Sequence, residues 1–290
     1  MQPMVRTPFN YTGNKYRLLP QLLPLFPPAE QTPLFLDVFF GGGTVSLNVP
    51  YKKIHATETI RPLVAVHKFL THRSFASIEK KIRAITKDFG LTCSAFAPIP
   101  GDKHELNKDP YLKLRTQYNK NKRADLLLVL LMYSFNNNLR FNPKGEFNVP
   151  VGKRDYNKSV QHSLQEYIAA LSSKEFSLHA KDYTTASQVI EPDSFVYADP
   201  PYLITKAQYN AGWSSAEDLR LMKWLDEVSR SGSKFCLSNV LSAKGRKNNP
   251  LITWAKRYTI IELSIDYGNS CYNKIAKEPY QEVAILNYKP

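Results

Sequence analysis

A short apolar run, Leu34-Phe35-Leu36-Asp37-Val38-Phe39, passes almost at once into Gly41-Gly42-Gly43. Glycines placed directly after a strand let the backbone turn sharply and approach a ligand or a helix closely. A second strand-like stretch covers residues 54–58, and helical spacing follows over residues 62–72. Strand, glycine turn, helix and strand in that order open a doubly wound α/β sheet. Ahead of them, residues 15–26 read as a helix that stops at Pro27-Pro28. The same alternation returns late in the chain. Residues 175–179, 194–198, 234–238, 258–263 and 282–287 read as strands. Residues 215–231 read as a helix with Ser215 as N-cap and Gly232 as stop.

The middle is different. Residues 89–102 read as a loop with Pro98, Pro100 and Gly101, while 109–119 and 124–135 read as helices. Residues 136–154 are rich in Asn, Pro and Gly, with Lys144-Gly145 at a turn position, and read as a β-hairpin. The expected organisation is therefore one α/β core, residues 1–74 and 175–290, split by an inserted domain over residues 75–174.

Charge narrows the function. The 39 Lys and Arg exceed the 25 Asp and Glu, for a net charge of +14 in 290 residues. Residues 101–160 hold 12 basic and 6 acidic side chains, and residues 241–260 hold 5 basic and no acidic ones. Such a surface suits a polyanion, although a basic loop such as Lys244, Arg246 and Lys247 is also what a solvated face looks like. With 43% hydrophobic and 22% charged residues the chain has a globular composition. No apolar run approaches the roughly 20 residues of a membrane span, and no apolar signal core opens the chain, so a cytoplasmic location is expected. Cys93, Cys236 and Cys271 form no CxxC pair, which argues against a zinc finger or a disulfide framework.

Two motifs carry chemistry, each at the end of an expected strand. After Asp37 and the glycines comes Glu58, about twenty residues on, where an acid can hold ribose hydroxyls. A glycine triplet in a ligand-free turn is the plainer alternative. The spacing is not GxGxxG and no P-loop Lys-Ser/Thr follows, so a nicotinamide or nucleoside triphosphate is not indicated. The second motif is Asp199-Pro200-Pro201-Tyr202, directly after the apolar Phe195-Val-Tyr-Ala198. Prolines end the strand ladder and project the next groups off the sheet edge. A carboxylate, a backbone carbonyl and an aromatic ring together suit a flat ring bearing an NH2 group. The two oxygens accept its N–H bonds and the tyrosine stacks on the ring. Drawing hydrogen bonds from the amine frees its lone pair for attack and stabilises the positive charge that develops.

With these motifs in place, the sequence resembles the Dam-type DNA adenine methyltransferases of the D12 class, alpha group, and within them the T-even bacteriophage branch. Tyr11-Thr-Gly-Asn-Lys15 is similar to the family's N-terminal cofactor motif, Asp37 to Thr44 to its methionine-side glycine motif, and residues 54–58 to its ribose motif. Residues 136–154, including Lys-Gly-Glu-Phe-Asn-Val-Pro-Val-Gly-Lys-Arg, resemble its base-reading hairpin, and Asp199 to Tyr202 its catalytic motif. The stretches 203–210 and 234–239 are similar to the phage branch. The resemblance implies a Rossmann-like S-adenosylmethionine-dependent fold with an inserted, mainly helical DNA-recognition domain carrying the hairpin. The expected reaction moves methyl from S-adenosylmethionine to the 6-amino group of adenine in duplex DNA, in GATC as in the phage relatives. Because the target base is buried in the duplex, it must be flipped out.

The same resemblance distributes roles. Tyr11, Lys15, Asp37, Phe39, Gly41, Gly43, Glu58, Asp182 and Asp199 are expected at the cofactor, with Lys15 on its carboxylate, Glu58 on its ribose and Asp182 facing its adenine. An N-cap is the plainer reading of Asp182. Asp199, Pro200 and Tyr202 are expected to be catalytic. Asn136, Asn138, Arg140, Asn142, Pro150 and Arg154 are expected on DNA, with Arg154 as a guanine reader and phosphate contact as the alternative for both arginines. No metal is expected, and a monomer is expected to act on each target adenine, either in phage DNA modification or in a restriction–modification system. A cytosine-C5 enzyme needs a Cys nucleophile, typically after proline, and none of the three cysteines follows one. The competing readings are an amino-group methyltransferase for cytosine or RNA adenine, and a catalytically silent DNA-binding relative.

Overall fold

A computed structural model describes residues 4–9, 11, 13–205, 212–264 and 280–290. The chain divides into two compact units: a helical one made of residues 1–14, 41–48 and 59–174, and a sheet unit made of residues 15–40, 49–58 and 175–290. The helical unit thus takes in residues 1–14, 41–48 and 59–74 as well as the 75–174 that the sequence suggests.

Among the described residues eight strands build the sheet: β1 Phe35–Asp37, β2 Lys53–Thr57, β3 Glu175–His179, β4 Phe195–Ala198, β5 Lys234–Ala243, β6 Arg246–Lys247, β7 Thr259–Leu263 and β8 Gln281–Leu286. The order is β3-β2-β1-β4-β5-β8-β7, with β6 turned back on β5. Strands β3, β2, β1, β4 and β5 are parallel, whereas β8 runs antiparallel between β5 and β7. The buried strands read as continuous apolar runs, as they must when both faces are covered; all four residues of β4 are buried. One face packs Leu36, Val196, Leu221, Leu225, Phe235 and Trp254 into a shared core. Successive connections from β1 lead away on one side to β2 and β3, and from β4 on the other to β5. The β1–β4 boundary is therefore the topological switch point, where open α/β sheets bind ligands beyond the strands' carboxyl ends.

The helical unit is built from α2 Thr44–Asn48, α3 Arg61–Thr71, α4 Phe75–Phe89, α5 Lys103–Asn121, α6 Ala124–Tyr133 and α7 Lys158–Ser172. The apolar stretch of the sequence is α6, buried along nearly its whole length and packed by α3, α4 and α5. In the sheet unit α1 is Leu19–Leu22, α8 is Ser215–Arg230 and α9 is Asn249–Ala255.

Three local expectations need correcting. The helix expected over residues 15–26 is only α1 followed by a 3₁₀ turn, Leu23–Leu25, because Pro20 and Pro24 each start a new helical segment. The cap of α8 is Ser214, which accepts from Glu217 N, and not Ser215. Helix α5 begins at Lys103, capped by Asp102, and continues through Pro110 where the sequence suggests a start. Asn107, Tyr111, Leu114 and Tyr118 bury one face across that proline, and this packing outweighs the lost backbone bond.

Candidate active site

Asp37 closes β1 and Asp199 follows β4, and in the sheet register Asp37 lies beside Tyr197. The two motifs, far apart in sequence, therefore leave neighbouring strands at the switch point. Beyond Asp37 the chain stays pinned: Val38 N donates to Tyr197 O at 3.1 Å and Phe40 N to Thr57 O at 3.0 Å. Glu58 follows β2, its amide held by His179 O at 3.0 Å. Asp37, Glu58 and Lys15 are all buried. Phe39 sets its ring against Tyr183 and, edge-on, against Trp213.

Around Asp199 lies a compact charged cluster. Lys15 Nζ sits 2.7 Å from both Oδ1 and Oδ2 of Asp199 and 3.9 Å from Glu282 Oε1. The Tyr202 hydroxyl is 3.1 Å from Asp199 Oδ1 and 2.8 Å from Glu282 Oε1. Lys15 Nζ also stands 5.0 Å from the Tyr202 ring centre, a cation–π contact. Burial pushes the Asp199 carboxyl above its ordinary value, against the opposing pull of Lys15 and Tyr202. Burial does the same to Glu282, again with Lys15 opposing. One ammonium thus stands between the buried Glu282 and the partly buried Asp199, and Lys15 contacts Asp199 directly. Glu282 offers no sequence signal beyond being an acid directly ahead of the buried apolar residues Val283 to Leu286.

Asp182 is an N-cap, as its plainer reading has it. It caps the 3₁₀ helix Tyr183–Gln188, accepting from Thr184 N at 3.0 Å, and Arg220 adds bonds of 2.9 and 3.2 Å to its two oxygens. Burial tends to raise its carboxyl, but the Thr184 and Arg220 hydrogen bonds win and hold it below the ordinary value.

In the helical unit, Tyr11 and the glycine run pack together. A Cβ on Gly41, which has φ +50°, would meet Tyr11 Cε1 at 2.8 Å, and one on Gly42 would meet Tyr11 Cβ at 2.8 Å. The glycines are thus explained by the tyrosine that lies on them as well as by any ligand. Gly43 also has positive φ, at 78°. His67 on α3 bonds Gly41 O through Nε2 at 2.8 Å and the Tyr167 hydroxyl through Nδ1 at 2.5 Å. Burial drives its imidazole down to about 4, so it is neutral, with the proton on Nε2 facing the carbonyl.

The segment expected as a β-hairpin turns back on itself but forms no regular ladder. Only two isolated bridges join its arms, Ser134 with Val151 and Phe141 with Phe147. Side chains of α5 take the backbone groups a ladder would use. Asn119 brackets Phe147 through its N–H at 2.8 Å and carbonyl at 3.0 Å, and Tyr111 donates to Val149 O at 3.0 Å. Gly152 is required because a Cβ there would come within 2.7 Å of Ser134 O. Asn142 builds the tip, its Oδ1 accepting from Lys144 N and Glu146 N, both at 3.0 Å. Pro150 O accepts from Phe135 N at 2.8 Å.

The two arginines separate here. Arg140 is tied across the hairpin to Asn148, by 2.8 and 3.1 Å bonds to its side-chain and backbone oxygens. Arg154 is exposed, and among the described residues no hydrogen bond or ion pair engages it. It lines a surface pocket with Lys153, Ser134, Phe135, Asn136 and Asn137. Asn136 and Asn137 both adopt positive φ, 53° and 54°, beside the half-exposed Phe135; Asn138 returns to extended backbone. Next to Arg154, Asp155 is fully buried. It accepts from Ser94 N, Ser94 Oγ and Lys103 Nζ at 2.8, 2.7 and 2.9 Å. The long loop after α4 therefore anchors the outgoing arm of the hairpin.

Of the stretch 203–210 after Tyr202, residues 206–210 lie outside the described residues, as do Thr12 and Cys271. Among the described residues no three His, Cys, Asp or Glu side chains gather as a metal set, and no helix is long and apolar enough to cross a membrane.

Comparison with known proteins identifies the family. The chain is 35% identical over 294 residues to the type II methyltransferase M.FokI of Planomicrobium okeanokoites, covering 98% of this chain and 43% of that protein. It is 30% identical over 296 residues to the modification methylase StsI of Streptococcus sanguinis, again 98% of this chain and 43% of the relative. Against the DNA adenine methylase of Escherichia coli K12 it is 26% identical over 226 residues, 76% of this chain and 73% of that protein. The chain thus spans less than half the length of the first two. Residues 11–267, from the tyrosine on the glycine run to beyond the catalytic-type motif, match one family throughout, and the chain belongs to the D12 class N6 adenine-specific DNA methyltransferases.

Proposed function

We propose that this chain transfers methyl from S-adenosylmethionine to the 6-amino group of adenine in duplex DNA, in GATC or a close variant. The observation that carries the reading is the Asp199-Pro200-Pro201-Tyr202 turn at the carboxyl end of β4, beside the end of β1 at the switch point. The GATC assignment rests on the likeness of residues 136–154 to the phage hairpin.

The residues fit the cofactor. Buried carboxylates close β1 at Asp37 and follow β2 at Glu58, the chemistry that ribose hydroxyls and an ammonium require. In the sheet unit Asp37 and the backbone of Phe39 would hold the amino-acid end, Glu58 the ribose and Lys15 the adjoining wall; Tyr11, Gly41 and Gly43 are assigned to the cofactor by the family likeness. When bound, S-adenosylmethionine supplies a methyl group already activated on a sulfonium. Asp182, whose carboxylate is already engaged by Thr184 and Arg220, shapes the neighbouring turn.

The protein's own groups then act on the base. Asp199 and the Pro200 carbonyl accept the two N–H bonds of the target amine, and Tyr202 stacks on the ring. Those acceptors draw the nitrogen toward a tetrahedral shape and make its lone pair available. Attack on a sulfonium methyl is an in-line displacement, so holding the amine in line supplies much of the acceleration. Incubation with tritiated S-adenosylmethionine and unmethylated duplex DNA, with chelator present, should label adenine. Asp199→Ala should abolish labelling while the protein stays folded. Sequencing the modified adenines reads the site, and near-normal turnover by Asp199→Ala would overturn the catalytic assignment.

A further inference from the structure

Glu282 is a buried ionisable group that the chemistry above leaves unused. It is 4% exposed, and the residues after it in β8 are buried and apolar. An ionised carboxylate in such surroundings is costly unless it is paired, and strand packing alone is met by any apolar residue. Its contacts are specific. Glu282 Oε1 is the nearer of two acceptors on the Tyr202 hydroxyl, at 2.8 Å against 3.1 Å for Asp199 Oδ1. The phenol has one proton to share between them. Tyr202 is itself buried, and a ring needed only for stacking has no use for a hydroxyl held by two carboxylates. Lys15 covers both oxygens of Asp199 at 2.7 Å while standing 3.9 Å from Glu282. A carboxylate neutralised by an ammonium on both oxygens draws less strongly on an amine.

We propose that Glu282 is a positioning residue for base capture. By accepting the Tyr202 hydroxyl it sets the tilt of the ring on which the displaced adenine stacks. By standing beside Lys15 it offers the ammonium a second carboxylate, so that Asp199 turns its oxygens to the target amine. This inference rests on the reading of adenine as the captured base.

Two variants separate the two tasks. Glu282→Gln keeps the size and an acceptor for Tyr202 but removes the charge, and Glu282→Leu removes both. In single-turnover methylation at saturating cofactor and DNA, the rate should fall roughly tenfold for Gln and roughly a hundredfold for Leu, with KM for DNA within about twofold of the parent. A second readout avoids the chemistry. DNA with 2-aminopurine at the target adenine lacks the 6-amino group, so its capture reports the ring alone. Its emission in the complex should match the parent for Glu282→Gln and rise for Glu282→Leu, where the base stacks less well. Parent-like rates and emission in both variants, with only a lowered melting temperature, overturn the inference and leave Glu282 a packing residue. A parent protein that methylates no DNA overturns the adenine reading, and the inference with it.

Discussion

The Asp199 cluster of the sheet unit and the Arg154 pocket of the helical unit use charge in opposite ways. Around Asp199 every charge answers another and water is largely excluded: the side chains of Lys15, Glu282 and Asp199 are 6%, 5% and 18% exposed, and Lys15 lies within 4 Å of both carboxylates. Around Arg154 the charge is exposed, and among the described residues no side chain engages it, while its neighbour Asp155 is buried and carries the anchoring bonds. In the proposed reaction the first arrangement would fix acceptors for a small amine in a site of low dielectric, where each is effective. The second leaves the Arg154 guanidinium exposed and fixes only the backbone beside it, as the proposed contact with DNA requires. Stability and recognition should therefore be separable by mutation, with different residues responsible for each.

The largest effect is expected where the cluster is broken from within. Lys15→Met removes the cation between the buried Glu282 and the partly buried Asp199 and should cost about 3 kcal/mol of stability, the lower end for a broken buried pair, read by denaturant unfolding. It should also move the pH profile. Lys15 opposes the burial that raises Asp199, so its loss raises that carboxyl further. Asp199 must be ionised to accept the amine, so the acid limb of the methylation rate should shift to higher pH. An unshifted limb with unchanged stability would break the contrast on the sheet-unit side.

An intermediate effect, of another kind, is expected at the hairpin. Arg154→Ala should leave unfolding unchanged and weaken binding to the cognate site by about 1–3 kcal/mol, as for a lost bidentate guanine contact. Sites lacking that guanine should lose much less. Equal losses on both DNAs, with a shallower salt dependence, would make Arg154 a phosphate contact. Arg140, tied to Asn148, should behave differently: Arg140→Ala should loosen the hairpin and weaken all sequences together.

The smallest effect is expected at Asp182. Arg220→Ala removes a half-exposed ion pair and should change stability by under about 1 kcal/mol in thermal unfolding. Asp182 would keep its cap to Thr184. A loss several times larger would show that the turn after β3 depends on Arg220.

The amino-acid sequence by itself determined what depends on neighbours along the chain. Apolar runs ending in Asp37-to-Gly43 and in Asp199-Pro-Pro-Tyr marked two strand ends, and hydrophobic spacing marked α3, α6 and α8, because periodicity and turn residues act locally. The basic middle segment was equally plain. Only the tertiary structure decided which side chains meet. Lys15 reaches Asp199 across 184 positions, Tyr202 reaches Glu282 across 80, and Arg220 completes Asp182 across 38. These pairings follow from strand order, above all from β8 entering antiparallel beside β5, and no local pattern encodes that order. The hairpin shows the same limit. Its turn chemistry was legible, but side chains of α5 occupy the backbone groups of Phe147 and Val149. A regular ladder is therefore replaced by bonds whose donors lie on another element.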